Sequence, residues 1–385
     1  MRLGAGPVVI ALAVLGLSWL LLGGGGGVGS QLEQAEATAP PPRAATDRRE
    51  AAQPPAASPG DLVDRVMLVG FDGSGPDADV VEELHDHHYG GVLIDGGNWS
   101  GSASDGKLID AIRSSVDGAG LPAPLVAADQ EGGDYRALPE LGPAESEAEI
   151  GADGDAAAAE RWAESSGEEL AHAGIDLNLA PVADIGALDS PIAARAFSGD
   201  VGLTAAMTAA SVRGCEHAGI ACAVSHFPGI GAASQDTDAG PATIGLDART
   251  LRRRDVVPFR AAFAAGAPAV VVSHGLYSAY DPVTPASLSR QITTGMLRGE
   301  LGFDGVAISD DLAAGAVSAT GRPGRSAVAA INAGIDLVQV GDPDDVRRVR
   351  LSLLDALRSG EISMGRMIEA AGRVGTLSRQ LGAKK

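Results

Sequence analysis

The sequence predicts an α/β protein built as a (β/α)₈ barrel of the TIM type, and three observations carry that expectation. Eight short apolar runs recur after Leu62, each followed by a longer amphipathic stretch. Strands that alternate with helices imply a parallel sheet. The runs are continuously apolar, as strands buried on both faces are, and the body of about 320 residues suits a closed barrel with long loops. An open doubly wound sheet is the competing architecture, weakened because no GxGxxG follows the first strand.

Before the first run, Met1 to Ser30 begins with Arg2, continues through GPVVIALAVLGLSWLLL and breaks in GGGGGVGS, with Val28 and Ser30 as small residues before a cut. This reads as an export signal or as an uncleaved membrane anchor, and either places the body outside the cytoplasm. No cysteine lies near it, which argues against a lipid anchor. Residues 31–60 are rich in proline, alanine and charge without apolar periodicity, and are expected to be a disordered tether. The barrel is expected over residues 61–385.

The strand runs are, in order, RVMLVGFDG, GGVLIDGGN, PLVAADQEGG, DLNLAPVADI, ACAVSHFPG, PAVVVSHG, GVAISDDL and DLVQVGDP. Between them DGKLIDAIRSSVDGAG, AAERWAESSGEELAHAGI and TLRRRDVVPFRAAFAAG read as helices, most of them stopped by a glycine where a left-handed residue is wanted. The two cysteines, Cys215 and Cys222, flank a helix end and the following strand; a disulfide and a pair of buried thiols are both compatible with that spacing.

A composition that is 45% hydrophobic is sufficient for a substantial core, and a formal charge of -21 repels polyanions, so nucleic acid is not an expected partner. Polar residues collect at the C-terminal ends of the strands: Asp72, Asn98, Asp129 with Glu131, Asp184, His226, His274, and Asp310 with Asp311. A lone aspartate there is usually a cap or turn former, but in a barrel all these ends surround one mouth. Asp310, directly after GVAIS, is held by a buried strand as a nucleophile must be. Retaining glycosidases need such a carboxylate and a second group about 5 Å away to protonate the leaving oxygen. Mouth carboxylates also suit Mg²⁺ or Zn²⁺, so a metal-assisted hydrolase competes, weakened because no HxH or HExxH pair accompanies them.

DQEGG at Asp129, DLNLAPVAD at Asp176, ARAF at Ala194, HFPG at His226 and GFDGVAISDDL at Gly302 together resemble bacterial family 3 glycoside hydrolases, in particular single-domain β-N-acetylglucosaminidases of peptidoglycan turnover. The resemblance is collinear from about Asp61 to Gly382. It implies a (β/α)₈ barrel without cofactor that removes terminal β-linked N-acetylglucosamine with retention, through a glycosyl-enzyme intermediate. It further implies that Asp310 is the nucleophile, that Asp129, Arg195 and His226 bind the sugar, and that Arg136, one residue early, stands for the arginine following DQEGG. A carbohydrate is therefore the expected partner. Trp99 and Trp162 are the body's only tryptophans, which favours a short or terminal sugar over a long polysaccharide.

The departures from the family pattern fall where chemistry is done. Ser225 stands where the family has lysine before the histidine, and Ile230 where it has a second histidine. Loss of a charged donor weakens sugar binding by about 1.5–3 kcal/mol if nothing replaces it. The mobile loop carries Asp236-Thr237-Asp238 in place of the family's Asp-Ser-His, so Asp238 occupies the position of the acid/base histidine. An ordinary aspartate, near pKa 3.9, is ionised at neutral pH, whereas histidine lies near 6.5. Two readings remain: crowding by Asp236 and exclusion of water raise Asp238 into an acid with an acidic pH optimum, or the barrel has lost its acid and only binds sugar. A barrel that serves only to bind a protein partner is a third.

Overall fold

The computed structural model describes residues 57–115, 122–187, 189–318 and 322–383. The expected export segment and most of the tether lie outside them. The tether's last residues do not extend as a linker: Ser58 caps a helix over Pro59–Asp64, because its hydroxyl accepts the Asp61 amide while the Asp61 carboxylate takes the Ser58 amide.

All eight apolar runs form strands of one parallel sheet. They are β1 (Met67–Val69), β2 (Gly91–Ile94), β3 (Leu125–Ala128), β4 (Leu177–Asn178), β5 (Ala221–Phe227), β6 (Ala269–Val272), β7 (Val306–Ser309) and β8 (Val338–Val340). Neighbours in sequence pair from β1 through β7, and β8 returns to pair with β1 in register Met67 with Val338 and Val69 with Val340. The last seam, β7 to β8, is closed by a parallel bridge, Ile308 with Leu337, in which the Ser309 amide donates to the Leu337 carbonyl at 3.0 Å and the Leu337 and Asp336 amides to the Ala307 carbonyl at 3.1 and 2.8 Å. The sheet is therefore the expected barrel.

Side-chain parity divides the core in two. Leu68, Ala127, Ala223, Val271, Ile308 and Leu337 form the barrel interior, floored by Val374 and Leu377 of the C-terminal helix Met364–Gly382. Met67, Val69, Val126, Val224, Val270 and Val338 face outward into the larger cluster shared with the surrounding helices. The helices follow the expected pattern, and Gly174, Gly219, Gly334 and Gly360 end four of them in the left-handed conformation. TLRRRDVVPFRAAFAAG corrects to two helices, Ala248–Arg253 and Val256–Ala264, broken at Arg254 (φ -116°, ψ -75°) beside the buried Asp255. Cys215 and Cys222 are joined as a disulfide between the end of helix Val201–Ala218 and β5.

The weak seam is tied by a buried charge. Asp336, fully buried at the foot of β8, accepts from Arg298 Nη2 at 2.5 Å, Arg366 Nη2 at 2.7 Å, Arg373 Nη1 at 3.3 Å and the Ala307 amide of β7 at 3.1 Å. Removing one partner of a buried ion cluster leaves the others desolvated and uncompensated. Asp336→Asn is expected to lower unfolding free energy by about 3 kcal/mol or more, read from urea denaturation; a change below about 0.5 kcal/mol would show that the cluster is dispensable.

Candidate active site

Parity puts the chemistry at the mouth. Two residues beyond the inward-facing Ala127, Ile308 and Leu337 lie Asp129, Asp310 and Gln339, so the same alternation that fills the interior turns these three toward its open end. They line a cavity of about 340 Å³ together with Arg195, His226, Thr237, Asp238 and Asp311. This is the size of a small ligand pocket.

The two carboxylates of the Asp310-Asp311 pair are distinct. Asp311 is occupied with backbone: its Oδ1 accepts the Ala313 amide at 2.9 Å and the Gly341 amide at 3.0 Å, and a Cβ at Gly341 would collide with it. Asp310 Oδ1 accepts the Asp311 amide at 2.9 Å, while Oδ2 has no partner among the described residues. His274, buried at the end of β6, steadies this turn, its Nε2–H donating to the Asp311 carbonyl at 2.9 Å while Nδ1 is hydrogen-bonded with the Ser287 hydroxyl at 2.7 Å.

The opposite wall is a relay of charges. Glu131 holds Arg195 in a bidentate pair at 2.8 and 2.7 Å, and the guanidinium also lies 5.4 Å from the centre of the Tyr135 ring. Burial opposes the charge on Arg195, but Glu131 outweighs it and holds the guanidinium firmly protonated. Arg195 Nη2 stands 3.2 Å from His226 Nε2, and His226 Nδ1 stands 2.8 Å from Asp184, whose other oxygen takes the Ile230 amide at 2.6 Å. Burial pulls the imidazole down, yet the hydrogen bond and charge of Asp184 push it up to about 9, against Arg195. The Arg195 contact is a hydrogen bond only to an unprotonated Nε2, so protonation turns the Nε2–H into a donor for an acceptor in the cavity. Glu147, buried behind this wall, accepts the Val182 amide at 2.9 Å and is raised well above the usual carboxylate range by burial and by Glu131. It holds the extension of β4 in which Val182 bridges Ser225, and so sets Asp184 beside His226.

The loop with the two aspartates is docked over the mouth. The Thr237 carbonyl takes the Ala316 amide at 2.9 Å and the Asp238 carbonyl takes the Gly315 amide at 3.0 Å. Gly315 permits this approach, since a Cβ there would lie 2.7 Å from the Asp238 oxygen and 2.9 Å from the Gly240 nitrogen. Asp236 does not line the cavity; its Oδ1 accepts the Asp238 amide at 2.9 Å and so orients its neighbour. Asp238 is exposed to solvent as a whole residue, but its position against the cavity raises its pKa, through desolvation first and then through Asp310 and Asp236, with Arg195 and His226 opposing. Asp129 is ringed by protein yet open to water through the cavity, and it too is raised, by burial and by Glu131 and Asp310.

Of the residues singled out in the sequence, Asp129, Arg195, His226, Asp238 and Asp310 thus converge. Arg136 does not: its guanidinium is spent on the carbonyls of Gly133, Pro139 and Leu141, inside the turn it belongs to. Trp99 packs against the core instead of the cavity. Ser225 is buried with its hydroxyl unpaired, and Ile230 serves through its backbone amide. Glu131, Asp184 and Glu147 act behind the lining. Gln339 was legible only as part of a strand, although its place two residues after an inward leucine marks it.

Residues 60–377 match the family model described as Glycosyl hydrolase family 3 N terminal domain. The chain belongs to this family. It is 37% identical over 288 residues to a β-hexosaminidase of Stenotrophomonas maltophilia strain K279a, covering 72% of this chain and 84% of that one, and 36% identical over 323 residues to the β-hexosaminidase of strain R551-3, covering 82% and 91%. A family 3 β-N-acetylglucosaminidase from Paenibacillus superposes with a TM-score of 0.82 at 32% identity over 86% of this chain, which spans 64% of that protein. The β-N-acetylhexosaminidase of Beutenbergia cavernae gives 0.75 at 30% identity, over 84% of this chain and 99% of that one. The chain is thus a β-hexosaminidase-like family 3 glycoside hydrolase.

Asp184→Asn is expected to drop His226 from about 9 toward an ordinary histidine near 6.5, read by NMR titration of the ring. Because the folded-state value is the higher one, the stability from this pair is complete below about pH 6.5 and fades as pH rises through about 9. That pH dependence should vanish in the variant; an unmoved ring would show that Asp184 is not the cause. Gly315→Val should undock the loop, seen as faster hydrogen exchange at the 315 and 316 amides with the strand amides unchanged. Unaltered exchange at both would count against the docking.

Proposed function

We propose that the protein is an extracytoplasmic, retaining β-N-acetylhexosaminidase that removes a terminal β-linked N-acetylglucosamine, or a related amino sugar, from cell-wall or chitin-type oligosaccharides. The observation that carries this reading is one cavity in which Asp310, with one oxygen unengaged, faces Asp238, a carboxyl raised by its surroundings on a docked loop. Asp310 Oδ2 attacks the anomeric carbon as Asp238 gives its proton to the departing glycosidic oxygen. Asp238, now ionised, takes a proton from water, and the resulting hydroxide displaces Asp310. Asp129 accepts from sugar hydroxyls, while Arg195 and protonated His226 donate to them.

In this mechanism Asp238 fills the role of the family's acid/base histidine. The excess of carboxyls over cations around the cavity favours uptake of a proton there. The Cys215–Cys222 disulfide supports the extracytoplasmic part of the proposal, since such bonds persist in oxidising compartments.

Activity should fall as pH rises through the raised Asp238 value and should be best below neutrality. Asp310→Asn should abolish turnover. Asp238→Asn should lose about 10²–10⁴-fold on a disaccharide, much less on a nitrophenyl glycoside whose leaving group needs no proton, and its alkaline limb should disappear. Turnover of no aryl glycoside between about pH 3 and 8, with sugar still raising the melting temperature, would leave a sugar-binding barrel instead.

A further inference from the structure

We infer that Gln339 is a specificity-determining residue whose amide reads the acetamido group on C2 of the bound sugar; the inference rests on the glycosidase reading above. Gln339 lines the cavity on the strand next to the nucleophile, and its backbone is fixed to that strand on both sides: its amide donates to Ser309 Oγ at 3.1 Å and its carbonyl takes the Leu312 amide at 3.2 Å. Its side-chain amide, by contrast, has no partner among the described residues, although the residue is only 9% exposed. The amide is not sealed from water as the Ser225 hydroxyl is; it opens to the cavity, where its donor and its acceptor are both available to a ligand.

The chemistry of that ligand follows from position. A sugar attacked by Asp310 sets its anomeric carbon against the end of β7, so the side chain on β8 meets the atoms bonded to that carbon. Within the ring these are the ring oxygen, which can only accept, and C2. A primary amide donates through NH₂ and accepts through its carbonyl, so it complements a C2 acetamido group at both the carbonyl and the N–H. The remaining polar lining side chains complement the group less well: Asp129, Asp238, Asp310 and Asp311 are carboxyls, Arg195 and protonated His226 offer donors only, and Thr237 has a single hydroxyl that cannot meet both the carbonyl and the N–H. Nor does Ser225, buried outside the lining, supply a donor.

The test compares wild type with Gln339→Met, which keeps length and volume but removes both hydrogen-bonding groups, on matched nitrophenyl N-acetylglucosaminide and glucoside. A fall of about 10- to 100-fold in kcat/KM on the first with less than about 3-fold on the second supports the inference. Equal losses on the two, or no loss, overturn it. Binding of free N-acetylglucosamine and glucose to both proteins by calorimetry separates this inference from the catalytic reading. A wild type that turns over neither glycoside but prefers N-acetylglucosamine, with the preference gone in Gln339→Met, sustains the role of Gln339 and defeats the enzyme. A preference intact in the variant, or no binding of either sugar to wild type, defeats the role of Gln339. An unchanged melting temperature confirms that the variant is folded.

Discussion

Closure of the barrel is the constraint on which the site depends. Side-chain alternation along the parallel strands turns Asp129, Asp310 and Gln339 inward, a register shift near the end of β5 brings His226 in beside them, and closure gathers these residues at a common mouth. The β7–β8 seam is short, one bridge with its few backbone hydrogen bonds, and it is reinforced by Asp336 and its three arginines. That same seam sets Asp310 beside Gln339. The charge at the foot of the barrel and the chemistry at its mouth are thus two ends of one pair of strands.

At the mouth, the fold concentrates like charge instead of dispersing it. Asp129, Glu131, Glu147, Asp184, Asp238 and Asp310 crowd around Arg195 and His226 as their cations. Such crowding is unfavourable for stability, and the structure offsets it with a fully engaged second rank: Glu131 grips Arg195, Asp184 grips His226 and Ile230, and Asp311 is seated on backbone amides. What remains unengaged among the described residues lies in front, at Asp129, Asp238, Gln339 and one oxygen of Asp310. Division of labour between a satisfied rank and an unsatisfied one is how a rigid polar site is held ready for a ligand.

The departures from the family pattern also take physical form. The two positions that differ after β5 do not present new side-chain chemistry to the cavity; Ser225 withdraws into the barrel and Ile230 packs with Val182 and Ile192. The loop that carries Asp236 and Asp238 is tethered to the segment after Asp310 through Gly315 and Ala316. Its aspartates divide the work: Asp236 orients backbone, and Asp238 faces the cavity.

Alone, the sequence determined the barrel and the convergence of its polar strand ends, because apolar runs and parity are local patterns repeated eight times. It also singled out Asp129, Arg195, His226, Asp238 and Asp310, which lie in short contiguous motifs and which the fold brings to one cavity. Tertiary structure decided the rest. Arg136 is turned to its own loop, which only the carbonyls of Pro139 and Leu141 reveal; Glu147 supports the site from a helix of no recognisable motif; the two cysteines are bonded. Gln339 becomes part of the site only when β8 closes against β7. These outcomes depend on partners distant in sequence and on which hydrogen bonds are already spent, and no local pattern records either.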